Sequence, residues 1–286
     1  MLKFNNVLLI SLLANALSSA AQPAVRPSTA SPQVQVLDTA FRMPQLQRTR
    51  RVWVYLPAGY ASSRQRYPVL YLQDGQSVFD ATQATGREGA VEWQVDETLD
   101  AARRPCIVVA VAADATHRMQ EYNPHDTPQY GPGEGRQYLR FLVETLKPYV
   151  DQHYRTQPDR RHTALAGSSM GGLLTFYGGL YYPEVFGSLG VFSPSFWLAP
   201  DLAAEIRRVA TPARQRGQRY YFYAGGRETR QLPSGLPINM AADMQAAAAV
   251  LRAQGRPTVQ LLINPEGRHG AQAWQQAFPQ FYKWLR

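Results

Sequence analysis

Apolar residues along the chain follow two spacings. The run 51–56 (RVWVYL) alternates like a half-buried strand, whereas 68–73 (PVLYLQ) and 107–112 (IVVAVA) are nearly continuous, the pattern of strands buried on both faces. Runs 163–166, 188–192, 220–223 and 259–263 continue the strand-like series. Between them the spacing becomes helical: Leu139, Leu142, Leu146 and Val150 recur along 138–153, and 170–181, 240–253 and 271–285 read as further helices. Strands alternating with helices predict an α/β protein, with a mostly parallel central sheet and helices on both faces. No internal repeat or interior linker interrupts the alternation, so 34–286 reads as one domain.

The N-terminal segment reads differently. Lys3, the apolar run 7–13 (VLLISLL) and the small residues Ser19, Ala20 and Ala21 have the layout of a secretory signal peptide over 1–21. The run is too short to span a bilayer, so no stable membrane insertion is expected after cleavage. No cysteine follows the cleavage region to carry a lipid, and the expected location is secreted, in the periplasm. The proline- and serine-rich stretch 22–33 reads as a disordered lead-in.

Charge and cysteine content narrow the partners. The net charge is +9, and all but Lys3, Lys147 and Lys283 of the 30 basic residues are arginine. These arginines are scattered without a basic run, so nucleic acid is not an expected partner. Cys106, the sole cysteine, excludes an intrachain disulfide and lies in a strand-like run as a core thiol. No Cys/His cluster points to a metal, and no cofactor is expected. No motif in the sequence specifies an oligomeric state.

The chemistry centres on 165–174, LAGSSMGGLL, which holds a G-x-S-x-G around Ser169. It falls between a short strand and a helix, the setting of a nucleophile elbow, with Gly167 and Gly171 expected to relieve crowding in the sharp turn. A serine raised to the helix N-terminus meets free N–H groups and the positive end of the helix dipole. Its base is sought among five histidines. His153 lies on a helix and His162 begins a strand, whereas His269 lies in a loop between the last strand and the last helix and opens at the same sheet edge. The orienting acid should follow an intervening strand. Glu228, after 220–223, is the first choice, with Glu266, Asp201, Glu205 or no acid as alternatives. The oxyanion donors expected are the N–H groups of Met170 and of Gln76, the latter after the strand 68–73. Trp197 is a candidate to stack on an aromatic or sugar ring, or else a core or rim residue. Arg118 pairs either with an anionic substrate, such as a ferric catecholate, or with Glu121 of its own loop.

The pieces 52–57 (VWVYLP), 67–80 (YPVLYLQDGQSVFD), Arg118 with 121–124 (EYNP), 146–149 (LKPY), 166–173 (AGSSMGGL), 192–197 (FSPSFW) and 267–270 (GRHG) run in order along 35–285. Together they resemble the putative esterase family of α/β-hydrolases, which includes periplasmic esterases of trilactone siderophores such as enterobactin. The resemblance implies an α/β-hydrolase fold and a serine esterase acting on a small-molecule ester, with Ser169 and His269 at the matching positions. The same family covers carbohydrate esterases and mycolyltransferases, and fold does not fix substrate. Siderophore trilactones and acylated sugars are therefore both expected substrate classes. Acyl transfer to a sugar or lipid hydroxyl, or ligand binding without catalysis, are the rival readings.

Overall fold

The computed structural model describes residues 26–86, 89–232, 235 and 237–285; the signal segment read at 1–21 lies outside the described residues. Ten strands are present among them: β1 (Val34–Met43), β2 (Arg48–Tyr55), β3 (Val69–Leu72), β4 (Ile107–Val111), β5 (Thr163–Ser168), β6 (Ser188–Phe192), β7 (Arg219–Gly225), β8 (Thr229–Gln231), β9 (Pro237–Asn239) and β10 (Thr258–Asn264). The helices are α1 (Val95–Asp100), α2 (Arg118–Glu121), α3 (Gly135–Phe141), α4 (Lys147–His153), α5 (Met170–Tyr181), α6 (Leu202–Val209), α7 (Pro212–Gln215), α8 (Met240–Gly255) and α9 (Ala271–Leu285). The helix expected at 138–153 is α3 and α4 joined by a π-helical segment, Leu142–Leu146.

Eight strands form one sheet in the order β1-β2-β4-β3-β5-β6-β7-β10. The pairs β1/β2 and β2/β4 are antiparallel and all pairs from β4 onward are parallel. Alternation of side chains across the sheet explains the continuous apolar runs. Val69, Tyr71, Ile107, Val109, Leu165, Tyr220 and Phe222 face one core with residues of α3, α5, α6 and α8. Leu70, Leu72, Val108, Ala110, Ala164, Ala166, Tyr221 and Tyr223 face a second core with α1 and α9. A strand covered on both faces has no polar face to show.

The strand order reverses beside β3: β4 lies on one flank and β5 on the other, after which the chain proceeds outward through β6, β7 and β10. Loops leaving the carboxyl ends of β3 and β5 therefore diverge and open a crevice, the position where parallel α/β sheets bind ligands.

The disordered lead-in expected at 22–33 is corrected for the residues described. Ser28 Oγ donates to Asp80 (2.7 Å), Thr29 Oγ1 to Glu92, and the Ser31 N–H to Asp96 (2.6 Å). Composition alone suggested a free tail; three buried carboxylates supply acceptors that hold it.

Candidate active site

Ser169 follows β5 and precedes α5 with φ 55° and ψ −116°, a left-handed backbone strained for a residue with a side chain. Its N–H donates to Phe192 O (2.9 Å), and its carbonyl accepts from the Leu173 and Ser195 N–H groups (3.0 and 3.1 Å). These bonds hold the turn. The crowding that demands glycine is distributed otherwise than the motif suggests. A Cβ at Gly167 would lie 2.3 Å from Gln73 Oε1, and one at Gly172 2.7 Å from Phe192 O. At Gly171 the nearest atom would be 3.3 Å away, so Gly172, outside the G-x-S-x-G, is the tighter position. Gly172→Ala is expected to push β6 and the elbow apart. The expected cost is about 1–3 kcal/mol of stability, read in a denaturant titration.

The loops after β5, β7 and β10 bring three side chains into one chain of hydrogen bonds. His269 Nε2 lies 3.0 Å from Ser169 Oγ, and His269 Nδ1 lies 3.0 Å from Glu228 Oε2. An ionised carboxylate only accepts, so Nδ1 carries the proton and Nε2 is left free to accept from Ser169. The Glu228 side chain is 0% exposed and that of His269 33%, so the imidazole spans from the interior to the crevice. Glu228 Oε1 accepts from the Gly225 N–H and from Ser193 Oγ, each at 2.7 Å. The Glu228 and His269 loops are joined by Gly226 N–H to Asn264 O (2.7 Å) and Arg227 N–H to Gly267 O (3.0 Å).

None of the competing acids contacts His269 among the described residues. Glu266 pairs with Arg227 across the loop surface, and Asp201 precedes α6. Glu205 accepts from Tyr177 and Tyr181 and lies 3.3 Å from His125 Nε2. Burial pushes the Glu205 carboxyl up, but the hydrogen bonds and charge of His125 and the tyrosine hydroxyls outweigh it and hold it at about 2, against an ordinary 4.5. A depressed folded-state value gives stability that is present above about pH 4.5 and lost as pH falls toward 2. Melting temperature is expected to fall across that window. Glu205→Gln should flatten the fall and cost about 1–3 kcal/mol at neutral pH.

Of the expected oxyanion donors, Met170 is the first residue of α5, where the helix leaves N–H groups without intrahelical acceptors. Gln76 lies in the short turn Gly75–Ser77 after β3, next to β5. Its side-chain Oε1 accepts from the Ala113 N–H (3.0 Å), anchoring this loop to the one after β4. Arg118 does not pair with Glu121 of its own loop. Its Nε and one terminal N donate to Asp74 (2.6 and 2.8 Å), while Glu121 is buried against Arg48 and Arg50. Asp74, in the left-handed region at φ 56°, is thereby held beside the elbow, close to Gly171. Burial alone would lower the Arg118 pKa; the Asp74 charge and hydrogen bonds more than offset it, and the net shift is upward.

Trp197 is half-buried, and the Arg230 guanidinium lies 4.6 Å above its ring, so the hairpin β8/β9 covers part of the indole. A cleft of about 390 Å³ opens nearby between loops after β4 and β6, lined by Pro124, His125, Asp126, Ala199, Pro200, Asp201 and Leu202. Three site neighbours escaped the sequence reading: Ser193, Ser195, whose Oγ is 3.3 Å from Ser169 Oγ, and Trp274. The first two lie within the stretch 192–197 (FSPSFW), whose resemblance to the family was the available signal. Among the described residues, Glu92, Asp96 and Glu97 bring carboxylate oxygens within 4.8 Å of one another, and Glu92 and Asp96 hold the N-terminal segment. No described helix is long and apolar enough to cross a membrane.

The parallel sheet and the serine turn at its switch point define an α/β-hydrolase fold. The chain belongs to the family described as "Putative esterase", whose sequence model matches residues 44–285. It is 30% identical over 170 residues to the iron(III) enterobactin esterase of Escherichia coli K12, covering 58% of this chain and 38% of that protein. It is 27% identical over 168 residues to the Bacillus subtilis protein YbbA, covering 57% of this chain and 62% of that one. The chain thus spans less than two thirds of these relatives' length. A solved ferulic acid esterase superposes with a TM-score of 0.66 at 19% identity, covering 88% of this chain and 98% of its own, a likeness of fold.

Proposed function

We propose that this chain is a serine esterase that cleaves carboxylic esters through an acyl-enzyme. The observation that carries the reading is the unbroken relay from Ser169 through His269 to buried Glu228, at 3.0 Å per link. Ser169 Oγ bonds the ester carbonyl carbon as its proton passes to His269 Nε2. Glu228 holds the imidazolium that results. The carbonyl oxygen gains negative charge and is met by the N–H groups of Met170 and Gln76. The tetrahedral intermediate collapses, the C–O bond breaks, and His269 returns the proton to the departing alcohol. Water, deprotonated by His269, then attacks the acyl-enzyme and releases the acid, restoring Ser169.

The names of similar proteins extend the proposal to substrate. One acts on iron(III) enterobactin and another is a ferulic acid esterase, which supports siderophore trilactones and acylated sugars as the classes to test. The signal-like segment 1–21 supports export to the periplasm as the place of action. The test is labelling with a fluorophosphonate followed by peptide mapping. An adduct on Ser169, together with release of acid from a trilactone or a feruloylated sugar, is the expected result. An unlabelled Ser169 in folded protein overturns the mechanism.

A further inference from the structure

Behind Glu228 stands a second layer of hydrogen bonds with a direction forced at every link. Trp274, in the first turn of α9, donates its indole N–H to Ser193 Oγ at 2.9 Å. Ser193 Oγ donates to Glu228 Oε1 at 2.7 Å. An indole only donates and a carboxylate only accepts, so the single hydroxyl proton must point at Glu228. With the Gly225 N–H also on Oε1, that oxygen has two donors and Oε2 is left to His269. The indole also packs edge-on against the His269 ring, centroids 5.0 Å apart at 89°. Ser193 is fully buried at φ 44°, with its N–H on Tyr223 O (2.6 Å).

We infer that Trp274, acting through the Ser193 hydroxyl, is a positioning residue that fixes which carboxylate oxygen faces His269 and so the tilt and tautomer of the base. This rests on the serine esterase reading above. Among the described residues no lysine or arginine forms an ion pair with Glu228, so these donors disperse its charge. Removing one concentrates that charge, and the carboxylate then holds the imidazole proton more tightly.

Three expected effects follow for kcat/KM. Ser193→Ala lowers it by about tenfold, mostly in kcat, and moves the acid limb of its pH profile to higher pH. Trp274→Phe keeps a ring against His269 but loses the N–H, and lowers it by about threefold. The double variant matches Ser193→Ala to within about twofold, because Trp274 acts through Ser193. Ser193→Gly tolerates φ 44° without strain and separates loss of the hydroxyl from backbone effects. The same limb movement in that variant supports the proposal, and an unmoved limb overturns it. Multiplying single-variant effects also overturn it, since they would mean that Trp274 acts independently of the Ser193 hydroxyl. Fluorophosphonate labelling of the unmodified chain is run beside these assays. Failure there refutes the esterase reading itself, whereas labelling with multiplicative effects refutes only the positioning role.

Discussion

Ser169→Ala is expected to reduce ester hydrolysis by about a millionfold in kcat, in practice to the background of the assay, while the protein remains folded. The magnitude follows from the proposed role: without Oγ there would be no covalent acceptor for the acyl group, and His269 would have no proton to take. What survives is the stabilisation of a carbonyl oxygen by backbone N–H groups, which leaves a residual rate over water. Stability should respond in the opposite sense or hardly at all. Ser169 occupies a strained backbone at φ 55°, held by bonds through its own N–H and carbonyl, and none of these uses the hydroxyl. A short p-nitrophenyl ester reports the rate, and a melting curve reports the fold. Persistent turnover in the alanine variant would place the chemistry on another residue, with Ser195 the first to test because its Oγ is 3.3 Å away.

Glu228→Gln is expected to cost about 10²–10⁴ in kcat, and the hydrogen bonds supply the reason. Oε1 accepts from two donors, the Gly225 N–H and the Ser193 hydroxyl. An amide nitrogen placed there would meet two hydrogens, so it turns toward His269. There its N–H demands an acceptor at Nδ1, which drives the imidazole proton to Nε2, the nitrogen that must receive the Ser169 proton. The variant therefore keeps its shape and loses its base. Glu266→Gln, on the loop surface with Arg227, should retain near-wild-type turnover, as surface ion pairs contribute little. The assignment would be falsified if Glu266→Gln were the damaging change and Glu228→Gln were silent.

The alternation of strand and helix was legible because local periodicity is itself the record of which faces are buried. The run 220–223 (YYFY) is apolar throughout because its four rings divide between two cores. The helix 170–181 and the elbow before it were equally local, since a sharp turn needs small residues within a few positions of the serine. By itself the sequence determined an α/β chain with a nucleophile-like serine and one histidine on a loop at the right edge. It left four carboxylates open as the acid and assigned Arg118 to a substrate or to Glu121.

Only the tertiary structure decided which acid faces the histidine. Ser169 and His269 are 100 residues apart, and their meeting depends on β5, β6, β7 and β10 lying side by side in that order. The same order brings Ser193 from β6 and Trp274 from α9 behind Glu228, and the β3/β5 reversal brings Asp74 next to the elbow. Spacing along a chain encodes period and turn chemistry, whereas the convergence of side chains across a sheet is a property of strand order, which no local spacing records.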